Sequence, residues 1–282
     1  MFIKNNNILE KSELLKNKKI KIGIMWLTLS TFIFCIIKTN DINSNFINTN
    51  ASNLSNKKIC WGIKRVPDHQ QPDVGNENKK VLEAHNGICL GKAESKKVYL
   101  TFDAGYEAGF TEKILAVLKE NNVQACFFVT GHYVNSHPEL VKKMIDEGHI
   151  VGNHTSSHKS MPDISNEEIK EDVMKLHTTI YDKFGYEMKY IRPPKGECSE
   201  RTLELTNSLG YKTVMWSMAY DDWEESKQGR EEYGKQKIIA NIHNGAIILL
   251  HSTSKDNSNI LNDVIKEIRN MGYEFDSLDN FE

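Results

Sequence analysis

"VYLTFDAGYEAG", residues 98–109, decides how the chain folds. Val98 to Phe102 are apolar or β-branched, a composition that favours an extended strand. The run ends on a carboxylate, Asp103, and then come Ala104 and Gly105. A strand that delivers an acid to its C-terminal end is the pattern by which α/β folds build catalytic sites.

The same kind of run recurs downstream. QACFFVT, HIVGN, MKYIR, KTVMWS, AIILLH and YEFDSL are further strand candidates. Helical stretches lie between them. "TEKILAVLKENN" places Ile114, Leu115 and Leu118 on one face. "PELVKKMIDEGH" opens with Pro138 and closes at Gly148, and Ser165 to Glu168 reads as a capping box. "SERTLELTNSLG" runs from Ser199 to Gly210, and "DNSNILNDVIKEIRNMG" stops at Gly272. Strand and helix alternating in this way argue for a parallel sheet. An unbroken alternation of about 185 residues favours closure. The expected class is α/β, a distorted (β/α) barrel of about seven parallel strands.

The chain has 282 residues and a formal net charge of -2. That balance gives no electrostatic footprint for nucleic acid. None of the five cysteines forms a CxxC or pairs with His at zinc-finger spacing. Cys60 and Cys89 are either a disulfide of an exported protein or buried free thiols, the reading preferred here.

"KNKKIKIGIMWLTLSTFIFCIIK" is a basic stretch followed by an apolar run of about 16 residues, the layout of a signal-anchor or signal peptide. Lysines ahead of the run place the N-terminus in the cytoplasm and the rest outside it. The expected organisation is a short basic cytoplasmic segment at 1–19, a signal-anchor or signal peptide at 20–37, and a polar tether at 38–58. An irregular lead-in follows at 59–96 and the main domain at 97–282. Localisation is therefore expected to be extracytoplasmic, membrane-anchored or secreted.

The strand ends supply the chemistry. Asp103 follows the first strand, His154 and His158 the third, Arg192 the fourth, Asp221, Asp222 and Trp223 the fifth, and His251 the sixth. His154 and His158, four apart, would share one side of a helical turn and form a half-site for a zinc-like ion; the alternative is two surface histidines. His251 is either a core histidine or a general acid or base. Arg192 offers a fork that would orient and tune Asp103. Trp223 is either a sugar-stacking platform or packing. His132 and His85 are read as structural.

Taken in order, "TFDAG", "HTSSH", "RPPKG", "DDW" and "LLH" resemble the polysaccharide deacetylases of carbohydrate esterase family 4, the NodB-homology domain. The resemblance covers about residues 97–280. "ACFFVTGHYV", "DEGHIVGNH", "IRPPKGECSE" and the lead-in "WGIKR" are similar to the branch whose members deacetylate muramic acid on the way to the δ-lactam of spore cortex.

The resemblance implies N-deacetylation of peptidoglycan amino sugars, N-acetylmuramic acid first and N-acetylglucosamine as the alternative. It implies one divalent ion of zinc, cobalt or manganese type. It makes Asp103 the catalytic base, His154 and His158 the metal ligands, Arg192 the partner of the base, Asp222 the orienter of the catalytic histidine and His251 the general acid. The backbone N–H near Lys195 takes the place of an oxyanion donor, and Pro194, Lys195 and Trp223 fall at substrate-binding positions. The glycan strand is the expected partner, with the membrane met through the N-terminal segment and no protein partner.

The chain departs from the family pattern at three places. The pattern has a second, metal-binding aspartate where Ala104 stands, so the ion is expected to be loosely held on two protein ligands. Lys195 replaces an aromatic; it either meets the lactyl carboxylate of muramic acid or is a solvated lysine. Ala219 stands where the first aspartate of a DxxDW motif would be. A third reading follows from Ala104: a catalytically silent protein that binds wall glycan.

Overall fold

The seven runs read as strands from Lys97 onward are the seven strands of one parallel sheet. They are seen in a computed structural model that describes Ala51 and residues 53–282. The signal-anchor reading at 20–37, the basic segment at 1–19 and most of the tether lie outside the described residues. Among the described residues no helix is long and apolar enough to cross a membrane.

In chain order the elements are β1 (Ile59–Cys60), α1 (Asn76–Ala84), β2 (Lys97–Ala104), α2 (Thr111–Glu120), β3 (Ala125–Val129), α3 (Gly131–Ser136), α4 (Pro138–Asp146), β4 (Ile150–Asn153) and α5 (Asn166–Phe184). Then come β5 (Tyr190–Ile191), β6 (Glu197–Cys198), α6 (Glu200–Ser208), β7 (Lys212–Thr213), α7 (Glu231–Asn241), β8 (Ile247–His251), α8 (Lys255–Asn270) and β9 (Glu274–Phe275). The sheet runs β7-β5-β4-β3-β2-β8, with β9 paired to β2. Helices cover the central strands, so β2 and β3 are buried on both faces. This is why they read as continuous apolar runs without alternation. The core under the site packs Tyr99, Cys126, Phe128, Ile150, Val214 and Ile247 together.

The sheet curls and closes through irregular chain. After the two-residue β7, Val214 bridges to Ile88 and Met218 bridges to Ile248 on β8. Ser217 and Met218 donate their N–H groups to the Ile247 carbonyl at 3.0 and 3.1 Å. The candidate KTVMWS is therefore strand only at Lys212–Thr213. Its remainder has to arc between two sheet edges, which a straight ladder cannot do. The expected barrel is present as a curled, incompletely regular one.

Helix ends follow their caps. Ser165 and Glu168 form the predicted capping box, and α5 ends on Gly185 in the left-handed region, φ 64°. The lead-in is more ordered than its composition implies. It carries α1, and β1 pairs antiparallel with β6. Order also begins before the boundary set at 58: Arg201 donates its N–H to the Ser55 carbonyl at 3.1 Å, and Lys58 pairs with Asp163 at 2.6 Å. Cys60 is an exposed free thiol and Cys89 a buried one, whose pKa burial pushes up to about 12. Besides α1, two helices lie outside the sequence expectations, α3 and α7. The second buries only Gly234 and Ile238, too little to leave a periodic signature.

Candidate active site

Asp103 occupies the penultimate position of β2, in register with Val129's neighbour Phe128 on one side and with His251 of β8 on the other. Ala104, the next residue, is fully buried and takes no part in lining the cleft described below. Arg192 leaves β5 completely buried and donates Nη1 to Asp103 Oδ1 at 2.8 Å, Nη2 to Thr101 Oγ1 at 2.9 Å and Nε to the Val214 carbonyl at 3.0 Å. Its guanidinium also lies 4.2 Å from the Phe128 ring centroid. Burial, the largest single influence, would raise the Asp103 carboxyl, but the Arg192, His154 and His251 charges and the Arg192 hydrogen bond together outweigh it, and the pKa lies below the usual carboxylate value. Asp103 is thus an ionised base held against one guanidinium.

His251 ends β8 and donates its backbone N–H to Asp222 Oδ2 at 2.6 Å. Its Nδ1 meets Asp222 Oδ1 at 2.8 Å. Burial, the largest single influence, pulls the imidazole pKa down, yet the Asp222 charge and hydrogen bond together with the Asp103 charge offset it and the net shift is upward. With Nδ1 committed to Asp222, Nε2 is the atom free to exchange a proton in the cleft, the arrangement of an oriented general acid.

His154 follows β4. Its Nδ1 lies 2.8 Å from the Arg192 carbonyl oxygen, which can only accept. That fixes the proton on Nδ1 and leaves the Nε2 lone pair 3.5 Å from Asp103 Oδ2. Both atoms are acceptors in this protonation state, so they do not bond to each other directly. The His158 ring centroid is 4.8 Å from that of His154. Desolvation, followed by the neighbouring His154, pushes the His158 pKa down to about 4. The two rings converge, though not by the expected helical turn: residues 154–160 are irregular, and Thr155 and His158 both lie in the left-handed region, φ 62° and 56°. Thr155 Oγ1 holds the turn by accepting the His158 N–H at 3.0 Å. Among the described residues no cluster of three His, Cys, Asp or Glu side chains is arranged around a metal position. His154 and His158 are the residues here that could hold an ion, and they would leave its other positions to water or substrate.

These groups open into one cleft of about 950 Å³, lined by Asp103, His154, His158 and His251 together with Lys195 and Trp223. Trp223 is 58% exposed, so it is an open platform and not core packing. Lys195 is exposed, with φ 60°, on the turn Pro194–Gly196. Pro194 is buried at the start of that turn and does not line the cleft, and its fixed φ shapes the backbone that presents Lys195. A Cβ on the following Gly196, φ 65°, would sit 2.5 Å from Trp216. The lead-in supports this wall. Trp61 donates its N–H to the Gly196 carbonyl and Nε1 to the Trp216 carbonyl, both at 2.9 Å. Arg65 reaches the Ala219 carbonyl at 2.8 Å.

Sequence reasoning missed Tyr106 and His132, both on the cleft wall. Tyr106 donates to Glu225 Oε1 at 2.6 Å and so ties the loop after β2 to the loop that carries Asp222. His132 follows β3, where the strand-end rule applied to the other histidines would have found it.

With this geometry in place, the likenesses to known proteins are specific. The polysaccharide deacetylase family profile matches residues 90–214. The peptidoglycan-N-acetylmuramic acid deacetylase PdaA of Bacillus subtilis is 41% identical over 231 residues, which cover 82% of this chain and 88% of PdaA. The solved structure of PdaA, a family 4 carbohydrate esterase, matches with a TM-score of 0.79 over 81% of this chain and 98% of that one. The peptidoglycan-N-acetylglucosamine deacetylase PgdA of Listeria monocytogenes is 32% identical over 80% of this chain and 49% of PgdA. A family 4 pseudoenzyme from Bacillus anthracis matches at 25% identity with a TM-score of 0.65, over 69% of this chain and 68% of that one. An ionised acid on a buried arginine, a carboxylate-oriented histidine and paired imidazoles in one cleft, on a sheet shared with PdaA, place the chain in the polysaccharide deacetylases of carbohydrate esterase family 4.

Proposed function

We propose that the protein is a metal-dependent hydrolase that removes the N-acetyl group from peptidoglycan amino sugars. Its substrate in this reading is N-acetylmuramic acid, on the way to the muramic δ-lactam of spore cortex. The observation that carries the reading is the pairing of two separately tuned groups across one cleft: Asp103 on Arg192 and His251 on Asp222. The identity to PdaA over most of both chains supports muramic acid above N-acetylglucosamine.

In the reaction, Asp103 takes a proton from the attacking water and Arg192 keeps the carboxylate ionised. The Lys195 N–H stabilises the developing oxyanion. His251, protonated at Nε2, hands that proton to the departing amine, and acetate leaves. Asp222 holds His251 in the required tautomer and stabilises its charge. A divalent ion on His154 and His158 would supply Lewis-acid polarisation of the acetyl carbonyl. The exposed Lys195 ammonium on the cleft wall would pair with the lactyl carboxylate that muramic acid carries and N-acetylglucosamine lacks. The N-terminal apolar run supports an extracytoplasmic, membrane-anchored or secreted enzyme acting on the wall.

The test is acetate release by purified protein from glycan strands stripped of stem peptides, with zinc, cobalt or manganese supplied. Mass spectrometry of the digested glycan then shows which sugar lost its acetyl group. Release from N-acetylglucosamine alone would support the alternative. Glycan binding without release, unchanged in His251→Ala, would support the silent reading.

A further inference from the structure

The geometry points to Asn257, a residue outside the cleft, as the positioning residue that holds Asp222 against His251. Asn257 is buried in the first turn of α8 and donates Nδ2 to Asp222 Oδ2 at 2.5 Å. Its Oδ1 accepts from the hydroxyl of Tyr220, which lines the cleft. A hydroxyl hydrogen directed at Oδ1 fixes which end of the amide faces Asp222, so the donor is locked in place. The Asn257 N–H is itself held by Ser254 Oγ at 3.2 Å, the cap of α8. Nearby ties fasten the same two segments together. Gln228 Oε1 accepts from the Ser254 hydroxyl and the Asp256 N–H at 3.2 and 3.3 Å, and Asp256 accepts the N–H groups of Gly229 and Arg230 at 2.8 and 2.9 Å.

Asp222 has no strand to fix it. It lies on irregular chain after β7, and its side chain is wholly buried. Without a second donor, rotation about its side-chain bonds would cost only the His251 contacts. Asn257 removes that freedom, so both carboxylate oxygens stay directed at His251. The other titratable and charged groups around His251 are Asp103 on β2, Arg192 after β5, and His154 and His158 after β4. Asn257 Nδ2 also lies 3.5 Å from the His251 carbonyl oxygen, a contact to the backbone, so its effect on the imidazole passes through Asp222.

This inference rests on the deacetylase reading, and its test separates the two. The His251 imidazole is titrated by NMR in the full chain, which needs no turnover. In Asn257→Ala the His251 pKa should fall toward its ordinary value, and where acetate release is measurable kcat should drop about 30-fold with KM within twofold. Asn257→Asp is close to isosteric and retains the acceptor for Tyr220. It sets a second carboxyl against Asp222, and two such groups resist joint ionisation. It should work while the new carboxyl is protonated and fail as that proton leaves, which adds an ionisation absent from the wild type. An unchanged or raised His251 pKa in Asn257→Ala, or an Asn257→Asp titration identical to wild type, overturns the inference. A silent wild type would sink the deacetylase reading and leave the NMR test standing.

Discussion

Asp103 and His251 face each other from neighbouring strands, yet their partners come from different kinds of structure. Arg192 is fully buried and bonded to β2, to its own sheet edge and to an aromatic ring of β3. Asp222 hangs on a loop and is aimed by the start of α8. The base side is continuous with the core, whereas the acid side is assembled by contacts between loop and helix. Damage to the first should cost stability, and damage to the second should cost catalysis while the fold survives.

The sharpest way to break this comparison is Arg192→Leu. It strands the buried Asp103 carboxylate, and it should destabilise the protein by about 3–5 kcal/mol. Denaturant unfolding measures that, and a stability within 1 kcal/mol of wild type, on the roughly 1 kcal/mol scale of ordinary substitutions, would erase the distinction.

Next is Asp222→Asn. It should lower kcat by about 10²–10³-fold while thermal unfolding shifts by only a few degrees. It should also move the pH profile. As the proposed general acid His251 would act when protonated, and its folded pKa is raised, so activity should be present below that pKa and be lost as pH rises through it. Removing the Asp222 charge lowers the pKa, so the alkaline limb should move to lower pH. A limb that stays in place would assign it to another group.

Lys195→Ala sharpens the substrate side. The KM for glycan with free lactyl carboxylates should rise about tenfold, with N-acetylglucosamine oligomers unaffected. Equal effects on both would make Lys195 a solvated surface residue. An effect of similar size is expected of Ala104→Asp. An added carboxylate should tighten zinc binding about tenfold in competition with a chelating dye. The gain is limited because the methyl it replaces is fully buried off the cleft wall, where a charge is costly. Unchanged affinity would separate the ion from this position.

The site was legible wherever a strand carried it. Asp103, Arg192 and His251 each end or follow an apolar run, and strand ends converge whatever the loops do. His154 and His158 were found by spacing, but the stated reason was wrong: a left-handed turn brings the rings together. Pro194 was placed in the motif and not in the cleft, because a motif does not say which of its residues face outward. Tyr106 and Asn257 went unread, since nothing local marks a residue whose partner is distant; His132, which follows β3, was read as structural although the strand-end rule marks it.

By itself the sequence determined the seven strands, their parallel order of chemistry and the family, because periodicity and ordered motifs are local properties. Tertiary structure alone decided how the sheet closes through residues 214–218 and how the lead-in braces the Lys195 turn. It also decided which donor aims each acid. Arg192 lies 89 residues from Asp103 and Asn257 lies 35 from Asp222. Hydrogen bonds across such separations exist only once the packed chain has set both partners at bonding distance and excluded the water that would otherwise satisfy them.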